Sequence, residues 1–171
     1  MLLGVLSIIS LLLIGWYFVS HKLMADREER VITAWARLDR AYQQRENLVR
    51  ELLNTNEEKT QLVNNTRSAW QDAVALALNP EEFSSMQVRT YSERKKQLEK
   101  SLDLLIDSLS DITDQKTTKV TAEHQQAGQE IAEAIDRYNA AVRDYNTLNQ
   151  HFPVSLLNFS EKPFYPVSEQ K

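Results

Sequence analysis

The sequence predicts an all-α protein: an N-terminal transmembrane helix followed by an antiparallel up-down four-helix bundle with an extended C-terminal tail. Three observations predict it. Leu2 to Ser20 carries no charged side chain and is dominated by Leu, Ile and Val. Only three glycines and four prolines occur, and none lies between Gly15 and Pro80. Apolar positions return at alternating steps of four and three along two long stretches, the signature of helices packed at coiled-coil-like spacing. The implied division is residues 1–24 as anchor, 25–153 as bundle and 154–171 as a tail packed on the bundle.

The anchor comes first in the chain. About eighteen residues at 1.5 Å each span roughly 27 Å, near the lower limit for crossing a bilayer. Trp16, Tyr17 and Phe18 close the stretch where an interfacial aromatic belt belongs. A cleavable signal peptide is the competing reading. It needs a basic leader and a small-x-small cleavage site, and neither stands out here. Lys22, Arg27, Arg30, Arg37 and Arg40 follow the apolar run while no Lys or Arg precedes it, which predicts a cytoplasmic bundle by the positive-inside rule. A Gly4, Leu11, Gly15 face offers a route to self-association, hence a possible homo-oligomer.

Helix one, from about Asp26 to Leu53, carries Val31, Trp35, Leu38, Tyr42, Arg45, Val49 and Leu52 on one stripe. Arg45 is the odd member. Its guanidinium either snorkels out at the seam edge, the favoured reading, or is held inside by a carboxylate or carbonyl. Thr55-Asn56-Glu57-Glu58 reads as a capping box for helix two, whose face is Leu62, Thr66, Ala69, Ala73 and Leu76, with Trp70 at its border. Asn79-Pro80-Glu81-Glu82 reads as the start of helix three, with Phe83, Met86, Tyr91, Leu98, Leu102, Leu105 and Leu109 inward. Ser110 to Thr118 lacks apolar rhythm and reads as a loop.

Helix four runs from near Lys119 to about His151, where Pro153 stops it. Its stripe is Ile131, Ile135, Tyr138, Val142, Tyr145, Leu148 or Asn149, and Phe152. Tyr138-Asn139 recurs seven residues on as Tyr145-Asn146, so all four residues share a side of the helix. Asparagine is a poor helix former and costly when buried unpaired. Two at heptad spacing therefore predict hydrogen bonds to a neighbouring helix, or else a surface for a partner.

The run Tyr138-Asn139-x-x-Val142-x-x-Tyr145-Asn146 with Phe152-Pro153 resembles the C-terminal signature of the LemA family of bacterial membrane proteins. Ala34 to Asp39, Arg45 to Leu52 and Thr66 to Ala69 resemble its first two helices. Departures exist: Glu46 and Arg50 stand where the family has a histidine and a proline, and Gly128 and Ile135 replace a glutamate and an arginine. The resemblance implies a single-pass protein of the bacterial cytoplasmic membrane. It also implies a protein partner, with some relatives tied to membrane proteases or to membrane-remodelling systems. The tail, with Phe159, Phe164 and Tyr165 beside Phe152 and Pro153, is similar to the family's phenylalanine-rich ending. It is expected to lie across the membrane-proximal end of the bundle.

Composition excludes several functions. A net charge of −4, without a basic patch threaded by aromatics, argues against nucleic acid. The absence of cysteine removes disulfides, thiolate metal sites and a cysteine nucleophile. His21, His124 and His151 are scattered and lack Glu three residues upstream, and no phosphate loop or nucleophile elbow is present. No cofactor or metal is therefore expected, and His124 reads as a hydrogen-bonded seam residue. The expected function is a non-catalytic membrane-anchored scaffold or adaptor. The alternative is an extracytoplasmic sensor that binds a small ligand or peptide in the bundle.

Overall fold

A computed structural model describes residues 2–55, 61–75, 78, 83–109 and 115–166. They form four α-helices: α1 Leu2–Thr55, α2 Gln61–Val74, α3 Ser85–Leu109 and α4 Gln115–Gln150. A 3₁₀ turn, Val154–Leu157, follows a cis Phe152–Pro153 peptide. No strand occurs among the described residues.

Nothing in α1 interrupts the helix, since neither proline nor a glycine pair falls within it. It is one rod of 54 residues, about 80 Å long at 1.5 Å per residue. Its N-terminal part is long and apolar enough to cross a membrane. There the side chains stand outward, with Leu11 and Leu12 among the most exposed. Burial begins at Ser20 and Met24 and then follows every stripe position from Val31 to Leu52.

Three sets of contacts orient the helices. Arg27 pairs with Asp144 at 3.0 Å, and Trp35 meets Tyr138 at 5.4 Å, so α4 runs against α1. Lys95 donates to the carbonyl of Ala73 and the Thr66 hydroxyl to that of Ser101, so α3 runs against α2. The Tyr91 hydroxyl reaches Asp39 at 2.8 Å and Glu99 reaches Arg45 at 3.0 Å, so α3 and α1 ascend together.

Two core clusters result. One, near the apolar part of α1, gathers Met24, Val31, Trp35, Leu38, Tyr42, Val88, Tyr91, Ile131, Tyr138, Val142, Tyr145, Val154 and Tyr165. The other, distal, gathers Val49, Leu52, Leu53, Val63, Ala73, Leu98, Leu102, Leu105 and Ile106.

Several element limits differ from the sequence reading. Thr55 is the last residue of α1, and Asn56 to Glu58 lie outside the described residues, as do Asn79 to Glu82. Helix α3 starts later than expected, because Ser84 and Gln87 form the capping box. The Ser84 N–H donates to Gln87 Oε1 at 2.9 Å and the Gln87 N–H donates to Ser84 Oγ at 3.2 Å. That start turns Met86 outward, 79% exposed, and puts Val88 in the core instead. Helix α4 begins at Gln115, a turn before the expected start.

Candidate functional site

Along α4 the repeat of seven residues advances about 10.5 Å. An extended chain covers about the same distance in three residues, at about 3.3 Å each. The tail uses this match. The Asn139 carboxamide donates to the Tyr165 carbonyl at 3.0 Å and accepts the Tyr165 N–H at 2.8 Å. One heptad on, the Asn146 carboxamide makes the same two bonds to Lys162, each 2.9 Å. Asn149 donates to the Phe159 carbonyl at 2.7 Å, and the Tyr138 hydroxyl donates to that of Pro163 at 2.9 Å.

The tail is therefore laid back along α4, against its direction, by side chains that act as a backbone edge. A carboxamide carries donor and acceptor in one plane and so fits the N–H and C=O of a single extended residue. Helical neighbours cannot offer that pair, since their backbone groups are already bonded within the helix. This corrects the sequence reading: the asparagines serve the tail rather than another helix. Asn149 is a third member of the row. Its signal was its place on the same stripe, three residues beyond Asn146.

The expected tail contacts divide. Tyr165 is buried and Phe159 packs edge-on against His21, at 5.1 Å. Phe152 is 80% exposed and Phe164 half exposed, so neither anchors the tail. The tail starts beside the apolar part of α1, where Phe159 meets His21, and then runs away from it to the level of Tyr42.

Beneath the tail lies an aromatic and charged interior. The Tyr165 and Tyr42 hydroxyls are 2.7 Å apart. Trp35 is ringed by Phe83, Tyr91 and Tyr138, with centroids at 4.5, 5.0 and 5.4 Å. Lys95 sits over the Tyr91 and Tyr42 rings and pairs with Glu46, the residue that departs from the resemblance's histidine. Arg45 is 97% withdrawn from solvent and pairs with the half-exposed Glu99, which corrects the expectation that it lies at the seam edge. Gly128 leaves room beside that guanidinium. A Cβ there would lie 3.0 Å from the Arg45 guanidinium.

Burial dominates the tyrosine chemistry, because the phenolate loses hydration there. It raises Tyr42, helped by Tyr165 and Glu99, and it raises Tyr91, helped by the Asp39 carboxylate. It raises Tyr138 and Tyr165, although the Tyr42 and Ser92 hydroxyls pull Tyr165 the other way. Tyr145 is pushed up to about 12 by burial and then by Glu28. None of these hydroxyls is poised to give up a proton near neutrality.

Elsewhere, His124 meets Asp103 at 2.8 Å. Among the described residues no cluster of His, Asp or Glu has the makings of a metal site. A shallow groove runs between α1 and α4, lined by Arg37, Arg40, Gln44, Glu130, Glu133 and Arg137.

The sequence model of the LemA family matches residues 34–171, from the first turns of the near core through the tail. The chain belongs to the LemA family. The matched range contains all three asparagines and the tail they hold. A comparison with curated proteins gives no match.

Proposed function

We propose that this LemA-family chain is a membrane-anchored scaffold or adaptor without catalytic activity. In this reading residues 1–24 cross the cytoplasmic membrane of a bacterium, and an antiparallel up-down bundle stands on the cytoplasmic side. The observation that carries it is where the interior polar groups point. Arg45 faces Glu99, Lys95 faces Glu46, Tyr91 faces Asp39, and the asparagines face the tail. Each of these groups has a partner within the fold, although the Arg45 Nε itself has none, which supports recognition on the outside of a body joined to the anchor by unbroken helix.

The partner is a protein, with a membrane protease or a membrane-remodelling system as the classes the family suggests, or a second copy of the chain. The groove at Arg37, Arg40 and Arg137 favours the second reading, a sensor whose ligand lies between α1 and α4. Native mass spectrometry of the full chain, solubilised from membranes with its anchor, separates them. A stoichiometric protein partner or second copy is expected. A retained small molecule on an otherwise solitary chain would turn the assignment to the sensor. Orientation has its own test: Ser168→Cys in intact cells should resist an impermeant maleimide, and ready labelling would place the bundle outside.

A further inference from the structure

We infer that the loop joining α4 to the tail, residues 151–157, is a second membrane contact, with Phe152 and Leu156 entering the interfacial layer of the bilayer. The inference rests on the reading that the apolar part of α1 spans that bilayer.

Height is fixed by contacts at both ends of the loop. Helix α4 runs towards the apolar part of α1, and packing on α1 reaches Ser20 and Met24, both buried. At that level Phe159 packs edge-on against His21, and the His21 ring lies 4.9 Å from that of Tyr17. Asn149 bonds the Phe159 carbonyl, so the chain between them turns back beyond this point, in the direction α4 was travelling. The loop tip therefore stands beside Tyr17 and Phe18, where the spanning stretch ends and an aromatic belt belongs.

The chemistry of the loop suits that position. Val154 turns inward to the core, whereas Phe152 is 80% and Leu156 66% exposed. No Asp, Glu, Lys or Arg occurs from Tyr145 to Ser160, in a chain of which 26% is charged. Tyr17, Phe18 and Leu23 are exposed at the same height, so α1 and the loop both present apolar side chains there. An exposed apolar surface of this kind marks an interaction site. Lipid is the occupant that is already there if α1 spans the bilayer. The exposed Lys22 next to it suits an anionic headgroup.

The full chain has no cysteine, so single cysteines can be introduced at will. Phe152→Cys, Leu156→Cys, Leu12→Cys and Leu104→Cys, each carrying an environment-sensitive fluorophore, would be reconstituted in phosphatidylcholine–phosphatidylglycerol vesicles containing a nitroxide lipid. Leu104 is a matched control, half exposed on the distal part of α3. The expected result is loss of emission at positions 12, 152 and 156 and none at 104. Quenching at 12 without quenching at 152 and 156 overturns the loop contact and leaves the anchor standing. No quenching at 12 overturns the anchor, and the loop contact with it. Quenching at 104 as well means indiscriminate adsorption and also overturns the inference. So does a signal at 152 and 156 that grows with the protein-to-lipid ratio, because it marks contact between copies.

Discussion

The near and distal halves of the helical body solve the same packing problem with different side chains. Distally, α2, α3 and the end of α1 close around Val, Leu, Ile and Ala, with Trp70 at the margin. In the near half the core is aromatic, and of the six tyrosines in the chain all but Tyr17 are buried in it. An aliphatic core suffices where helices meet only helices. The near half must also receive an extended strap whose backbone N–H and C=O groups need partners. Tyrosine and asparagine bring apolar bulk or helix-side reach together with a polar tip, so the strap can be buried without stranding those groups. The ion pairs Arg45–Glu99 and Lys95–Glu46 lie where the two halves join.

Alkali should separate the halves most strongly. A free tyrosine ionises near pH 10. The folded values of Tyr42, Tyr91, Tyr138 and Tyr165 lie above that, and Tyr145 is pushed up to about 12. Above about pH 10 the unfolded chain therefore sheds protons that the folded chain keeps, and the native state loses ground as pH climbs towards the folded values. Below about pH 10 this contribution is fully present. Melting followed by circular dichroism should be flat up to that point and fall steeply beyond it. A melt that stays level as far as about pH 12 would mean the tyrosines are not buried as protonated phenols.

Truncations come next in size. Tyr165→Ala removes a buried ring from the near half and should cost about 3–5 kcal/mol, while Leu98→Ala in the distal half should cost about 2–5 kcal/mol. Amide exchange tells them apart. Tyr165→Ala should expose the Lys162 amide, and Leu98→Ala should leave it protected. Equal loss of protection in both would show that the halves open as one unit.

The asparagine row tests the strap itself. Asn139 and the Tyr165 backbone are both buried, whereas the Asn146 pairing with Lys162 is only part-buried. Asn139→Leu should therefore cost roughly 2–3 kcal/mol and Asn146→Leu roughly 1–2 kcal/mol, since water can replace the second carboxamide more easily. Denaturant midpoints would rank them. A reversed ranking would mean that the strap is secured mainly at its Lys162 end.

How much of this was legible in the sequence follows from what each feature depends on. The α1 stripe from Val31 to Leu52 is local periodicity, and its burial was readable at every apolar position. Two asparagines in a packed seam announced that partners were needed. The partner was not readable, because Phe159 to Tyr165 has no helical or alternating rhythm and gets its place from α4. Arg45 departs from the edge reading because its guanidinium meets Glu99 and lies beside Gly128, both far away in the chain. Met86 points outward because a capping box at Ser84 sets the phase of α3, and the apolar spacing alone does not show where the helix begins. The loop at Phe152 was drawn into the α4 stripe by spacing, yet the helix had already ended at Gln150.

The smallest expected effect lies on the strap, next to one of the largest. Phe164 and Tyr165 are adjacent in an extended segment, so their side chains leave on opposite sides. Tyr165 enters the near core, while Phe164 stays half exposed and makes none of the carboxamide bonds. Phe164→Ser should therefore stay within about 0.5 kcal/mol of the parent, as surface replacements do away from caps, cores and buried pairs. The same substitution should leave the Lys162 and Tyr165 amides protected from exchange, because Asn139 and Asn146 recognise the backbone and not that ring. A fall comparable with that of Tyr165→Ala would locate the hold on the tail in its own aromatic side chains. The asparagine row would then be a consequence of the strap's position and not its cause.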